Sequence, residues 1–385
     1  MNLKHIIYCL LGFFSIVTLS AQNLPLRPCA TEITPEVREW FHNLDHDTRK
    51  MMKIQDGELY IPVVLHIVGN DNGFGYFPRD NAYQLICELN RHFLPVHLRF
   101  FLADTLQYIN KTSYYNHTWG GGYQMMNLHN KPNAMNVYIV LNPADACGYA
   151  YYPGSGPSQG RGGIALAKSC SNSQNSTFPH EVGHYLSLPH TFDQWNSGAA
   201  EFVDGSNCAF AGDYFCDTPA DFLDYRWSCP YTLTQSDPQG DLYDPDGSLF
   251  MSYSNEPCGN RFSFEQMDAM VSSRINDRPY LSMITPPAFQ EKELADLLTP
   301  AEGSQVPVNG FTLRWNSIPG ALEYAGAVTQ SNNFAGSIIK FTTQDTFFHV
   351  TQNLSSGIQY KWRVVAITPY YPCIDPDSLT GHFVF

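Results

Sequence analysis

One stretch constrains this chain more than any other: Phe178-Pro-His180-Glu181-Val-Gly-His184-Tyr-Leu-Ser-Leu-Pro-His190. Residues four apart share a helical face, so a helix here presents His180 and His184 to one point. Pro179 is tolerable only in a first turn, and Ser176 or Thr177 offers the N-cap. His190 lies too far along to stay on that face. Pro189 pushes Leu188 out of helical geometry, so the chain must turn and bring His190 back beneath the same point. Three imidazoles leave a tetrahedral metal one open position, the arrangement of a catalytic zinc site. Glu181, next to the first ligand, reaches a water at that position without ligating. Ordinary helical histidines would explain two of these residues, but not the third at this spacing.

The first residues bear on compartment. Lys4 and His5 precede an apolar run from Ile6 to Leu19, which ends in Ser20-Ala21-Gln22. That layout predicts a signal peptide over residues 1–21, cleaved after Ala21. The run is short for a membrane span and no later stretch is longer, so a soluble, exported protein without a span is expected, extracellular or periplasmic. A net charge of −14 excludes a nucleic-acid partner, because phosphate binding needs a basic face. Ten cysteines include Cys9, so processing leaves nine in an oxidising compartment. Disulfides are expected, with one odd thiol.

The chain divides by pattern. Residues 22–57 are polar and punctuated by Pro25, Pro28 and Pro35, which predicts a leader lying on the surface. Residues 58–290 carry strand and helix signals in alternation, predicting an α/β layer architecture. Strands are expected at Tyr60 to Val68, His97 to Ala103, Met135 to Leu141, Gly148 to Pro153 and Gly163 to Lys168. A helix capped by Asp80 is expected over 81–93. Between Thr191 and Phe250 eleven acidic residues stand against one base, Arg226, and regular structure is sparse. Residues 295–385 read as short alternating strands of a β-sandwich. Within them Leu354-Ser-Ser-Gly357-Ile-Gln-Tyr360 has the tyrosine-corner pattern, and the segment resembles a fibronectin type III domain.

The zinc stretch, with its third His six residues after the second, resembles the metzincin motif, and its surroundings resemble the pappalysin-like, cytophagalysin-type family. His190-Thr-Phe, Gly212-Asp213-Tyr-Phe-Cys216-Asp217-Thr218-Pro219 and Leu249-Phe-Met251-Ser-Tyr253-Ser all look like segments of that family, as do Ile61 to His66 and Gly148 to Pro153. The resemblance implies a twisted mixed sheet with an active-site helix, an irregular lower part, and a secreted zinc endopeptidase acting on proteins or peptides. It implies zinc on His180, His184 and His190, Glu181 as base, Met251 as the apolar floor of the Met-turn, and Tyr253 as an oxyanion donor. Asp213, Asp217 and Thr218 match its calcium-binding region. Ser187 departs from the pattern, standing where a left-handed glycine is usual, at a cost of about 1 kcal/mol.

Two disulfides are expected, Cys147 with Cys170 and Cys229 with Cys258, and a third local one between Cys208 and Cys216. Cys29 has two readings: a latency switch that takes the fourth zinc position until the leader is cut near Arg49-Lys50 or Lys53, or a disulfide to Cys87 or another partner. Cys87 itself reads as a buried thiol. The rival to an enzyme is a non-catalytic adhesion or carbohydrate-binding protein on the same scaffold. Arginine preference occurs among such relatives, but the sequence places no specificity pocket.

Overall fold

A computed structural model describes residues 26–50, 57–172, 175–193, 199–232, 234–287 and 295–384, the last with breaks at 332–333, 335, 371 and 373–379. The segment expected to be a signal peptide, with Cys9, and Lys53 lie outside the described residues.

The leader is not surface-laid. Cys29, Ala30 and Thr31 are buried against the body of the protein. After them, helix α1 (Pro35–His42) starts at Thr34, whose side chain accepts from Val37 N. Pro35 at the first helical position suits that start. Its apolar residues Val37 and Phe41 are buried, which is why a polar composition misled.

The main sheet forms from β1 (Leu59–Gly69), β2 (Leu98–Leu102), β3 (Gln107–Asn110), β4 (Met135–Val140), β5 (Gly148–Ala150) and β6 (Ile164–Ala167). Its order is β2-β1-β4-β6-β5, with β3 also on β1. All pairings are parallel except β5 with β6, which puts an antiparallel strand at the edge. In β1 every residue from Ile61 to Gly69 is buried, as expected of a parallel strand covered on both faces. Helix α2 (Arg79–Phe93) buries Tyr83, Ile86, Leu89 and Phe93 against the sheet's core. Its N-cap is Pro78 and makes no side-chain bond; Asp80 instead sits in the first turn, where an acid suits the helix dipole. Helix α3 (Trp119–His129) was not expected, because Gly120, Gly121 and Gly122 disfavour helix. Packing against Tyr149 requires Gly122, since a Cβ there would collide with the Tyr149 hydroxyl.

Two further helices frame the histidine-bearing turn, α4 (Thr177–Tyr185) and α5 (Phe264–Ser272). Between 199 and 262 the described residues contain no helix or strand, only isolated bridges.

The C-terminal residues form two sheets. One orders β8 (Ser304–Gln305), β14 (Thr380–Val384), β13 (Gln359–Ile367), β10 (Glu323–Thr329) and β11 (Ile339–Thr343); the other orders β12 (Phe347–Val350), β9 (Phe311–Trp315) and β7 (Leu297–Thr299). Their facing side chains, among them Trp315, Tyr324 and Trp362, make one core. The Tyr360 hydroxyl accepts from Ser355 N at 3.0 Å. This region packs on the first through an Arg79–Glu323 ion pair at 2.6 Å and a Tyr83 to Glu323 hydrogen bond.

Candidate metal centre

Helix α4 is buried along its whole length. Neither Ser176 nor Thr177 caps it by its side chain; instead Glu256 Oε1 accepts from Ser176 N (2.8 Å) and Ser176 Oγ (2.7 Å). A carboxylate there also suits the positive end of the helix. Gly183 allows Met251 to lie directly against the helix, because a Cβ would meet its sulfur. The helix ends with Ser187 at φ 73° and a Leu188 N to Gly183 O bond of 2.9 Å, a left-handed cap of the Schellman type. Ser187 Oγ lies 2.6 Å from Ser273 Oγ and donates to Asp277 Oδ2 at 3.2 Å, which offsets part of the strain.

That turn returns His190 to the helix face. His184 Nε2 lies 3.1 Å from His180 Nε2 and 3.0 Å from His190 Nε2. The opposite nitrogens are occupied: His180 Nδ1 faces Phe250 O at 2.6 Å, His184 Nδ1 faces Leu188 O at 2.7 Å, and His190 Nδ1 faces Asp193 Oδ1 at 3.4 Å. Carbonyls and a carboxylate accept hydrogen bonds, so each Nδ1 carries the proton and each Nε2 turns a lone pair inward. Burial holds the His180 and His184 imidazoles neutral, and the neighbouring His190 depresses both further. Three converging lone pairs in a dry site repel unless a cation sits among them. The donor set therefore fits zinc. Among the described residues only one group of metal-binding type is gathered, Cys29, His180, His184 and His190, with ligand atoms within 4.8 Å of one another.

Glu181 is fully buried, and its carboxyl is pushed up to about 8 by that burial. Its Oε2 accepts from Thr31 Oγ1 at 3.2 Å, while the same hydroxyl accepts from Ala150 N at 2.8 Å. The edge strand leaves room for the carboxylate through Gly148, where a Cβ would sit 2.8 Å from Glu181 Oε1. The leader runs along this edge: Cys147 N donates to Arg27 O (2.8 Å) and Ala30 N to Gly148 O (2.9 Å), with a parallel bridge at Arg27 and Ala146. Tyr253 stands with its ring 4.9 Å from that of His190, and its hydroxyl donates to Cys29 O at 3.5 Å. Farther on, Phe41 packs edge-on to Tyr152, His46 stacks on Tyr214, and Arg49 pairs with Asp277 at 2.7 Å.

Cysteines 147 and 170, 208 and 216, and 229 and 258 are bonded to one another. Cys29 is a free, buried thiol, so the alternative of a Cys29–Cys87 disulfide is overturned. Cys87 is not a thiol either: it is disulfide-bonded. Of the three acidic-segment positions, Thr218 donates to Asp213 Oδ1 at 3.0 Å. Asp217 turns away, accepting from Ser263 Oγ and Glu265 N at the start of α5. It acts as a helix cap.

Sequence reasoning did not find Thr31, Glu256 or Tyr152, whose hydroxyl lies 3.0 Å from His184 Nδ1. Thr31 and Glu256 stand in no motif, and Tyr152 lies in the Gly148 to Pro153 segment without having been given a role at the site. The nearest signal was proximity, Glu256 three residues past Tyr253.

Known proteins resemble this chain. The family model described as pregnancy-associated plasma protein-A, of the M43 peptidases, matches residues 124–274. An extracellular metalloprotease of Verticillium alfalfae is 28% identical over 228 residues, covering 55% of this chain and 74% of its own. Extracellular metalloprotease 1 of Coccidioides posadasii is 26% identical, covering 67% of this chain and 93% of its own. A solved structure of mirolysin in complex with compound 9 overlays with a TM-score of 0.44 at 20% identity, covering 60% of this chain and all of that one. Residues 124–274 thus resemble the M43 (pappalysin) peptidases, and the protein is a zinc metallopeptidase.

Proposed function

We propose that this chain is an exported endopeptidase in which His180, His184 and His190 hold the zinc and Glu181 is the general base. The observation that carries the reading is the convergence of three Nε2 lone pairs, each backed by an occupied Nδ1, beside a buried carboxylate. Bound there, zinc supplies Lewis acidity and makes water acidic enough to ionise near neutral pH. The Glu181 carboxylate would accept a proton from the attacking water and pass it to the leaving amine. The Tyr253 hydroxyl already reaches a peptide carbonyl, that of Cys29, and would donate to the developing oxyanion. The edge of β5 pairs with an extended substrate, using the same N–H and C=O groups that the leader now takes. A binding module needs no base, which disfavours the adhesion reading.

The leader supports a latent form. Cys29 Sγ lies among the ligand nitrogens, and a thiolate is a good zinc ligand. Thr31 holds the base, and residues 27–31 cover the edge strand. The C-terminal sheets we read as a fibronectin type III-like spacer or binding module over 295–385, on the strength of the Tyr360 to Ser355 corner.

The test is metal analysis alongside peptide hydrolysis in the leader-free protein. Glu181→Ala should keep one zinc per chain and lose activity by a factor on the order of a thousand. His184→Ala should lose both. Full activity in Glu181→Ala refutes the mechanism.

A further inference from the structure

Three bases converge where helix α2 meets the C-terminal sheets. Arg79 at the start of α2, Lys340 of β11 and Arg363 of β13 line one open cavity of about 290 Å³. Strand register explains the convergence. Ala327 of β10 pairs with Lys340 on one side and with Arg363 on the other. Residues directly opposed on neighbouring strands point to the same face, so the two cations flank a floor no larger than a methyl group. Two residues back, Ala325 and Thr342 share that face. There Arg79 closes the third side, its Nη1 donating to Thr342 Oγ1.

Two of these cations are held in place. Arg79 Nη2 sits on Glu323 Oε2 at 2.6 Å, and Glu323 also accepts from the Tyr83 hydroxyl. The Arg79 side chain still remains 28% exposed. The Arg363 guanidinium lies 4.3 Å from the centre of the Phe334 ring, which lines the same cavity. Lys340 is exposed and makes no ion pair among the described residues. Charges already fixed in position lose less entropy when a ligand arrives.

The cup runs against the charge of the whole chain, which has 36 acidic residues against 22 basic ones. Asp80 is the one carboxylate on its wall, and it sits in the first turn of α2, where the positive end of the helix engages it. Glu323 is committed to Arg79 and Tyr83. Three cations thus stand against two carboxylates, and the cup is positive. A polyanion would be repelled by the acidic surroundings. A single carboxylate would not, and it accepts charge-assisted hydrogen bonds from guanidinium and ammonium groups alike. The apolar stem of an acidic side chain suits the Ala327 floor and the Phe334 wall.

We infer that Arg79, Lys340 and Arg363 form a binding site for an Asp or Glu side chain of a peptide segment, sharing no residue with the metal centre. Because α2 and the C-terminal sheets both contribute, a bound segment bridges the two regions. The site stands independently of the peptidase reading, under which that segment belongs to a protein substrate.

The experiment uses the full-length chain and two short end-blocked peptides, one with Glu-Glu at its centre in a Gly/Ser/Ala host and its Gln-Gln counterpart. Binding is read by peptide-observed saturation-transfer NMR. The Glu peptide should bind about tenfold more tightly than the Gln peptide, and the difference should collapse at about 1 M salt. Lys340→Gln or Arg363→Gln should each weaken the Glu peptide about threefold. The double variant should bring it down to the Gln peptide. Arg314→Gln removes an exposed cation from β9, outside the cavity, and should change nothing. Equal affinity for the two peptides, or equal losses in all three single variants, overturns the site. Binding of inorganic phosphate without preference for the Glu peptide overturns its assignment to a peptide. Loss of peptidase activity in every form of the protein would refute the enzymatic reading and leave these binding results standing.

Discussion

Residues 59–167 and residues 199–262 flank the same three histidines and are held together by different forces. The first segment packs Ile61, Leu65, Val137, Ile139 and Leu166, all essentially inaccessible, into one apolar core between sheet and helices. The second has no described helix or strand and folds its carboxylates inward instead. Asp237 accepts from Val203 N, Gln239 N, Gly240 N and Asp241 N, and Asp246 takes Ser248 N and Arg261. Two disulfides lie within it or close it. Non-directional burial suffices to support the helix that carries His180 and His184. Aiming the Phe250 carbonyl at His180 and setting Met251 and Tyr253 beneath the site needs directional bonds, which the irregular segment supplies.

That contrast predicts different failures. Leu65→Ala, at the sheet's centre, should cost about 4 kcal/mol. Circular dichroism and metal release should then share one denaturation midpoint. Cys229→Ser with Cys258→Ser should cost about 3 kcal/mol. Its damage should be local: far-ultraviolet dichroism kept, zinc affinity reduced, and proteolytic nicks confined to 199–262. Identical damage patterns in the two variants would erase the distinction.

The leader touches both segments, lying on β5 by residues 27–31 and stacking His46 on Tyr214. Cys29→Ser in uncut protein should therefore be only partly active, because Thr31 still holds Glu181. Adding Thr31→Val should raise peptide hydrolysis about tenfold further, the worth of a hydrogen bond to a charged group. No activity difference among uncut parent, single and double variants would discard latency. The smallest effect is expected of Ser187→Gly. Glycine relieves about 1 kcal/mol of left-handed strain but gives up the contacts to Ser273 and Asp277. The two should cancel to under about 1 kcal/mol in denaturant titration, and a larger change would show that one of them dominates.

Much of this was legible in the residues alone. The five strands expected from β-branched and apolar runs appear within a few residues of their places, and helix α4 with its proline-forced turn does too. These depend on local sterics and periodicity, which one segment carries by itself. Helix α3 and the buried leader did not follow, since glycines and polar residues lose to packing that only the tertiary structure supplies. The same holds for the partners of the site. Thr31 meets Glu181 across 150 residues, Glu256 meets Ser176 across 80, and Tyr152 meets His184 across 32. The order of the proposed ligands His180, His184 and His190 is written in one short stretch because a helix and a turn bring them together. Which hydroxyl or carboxylate stands against them depends on how distant segments close, and no local pattern encodes that.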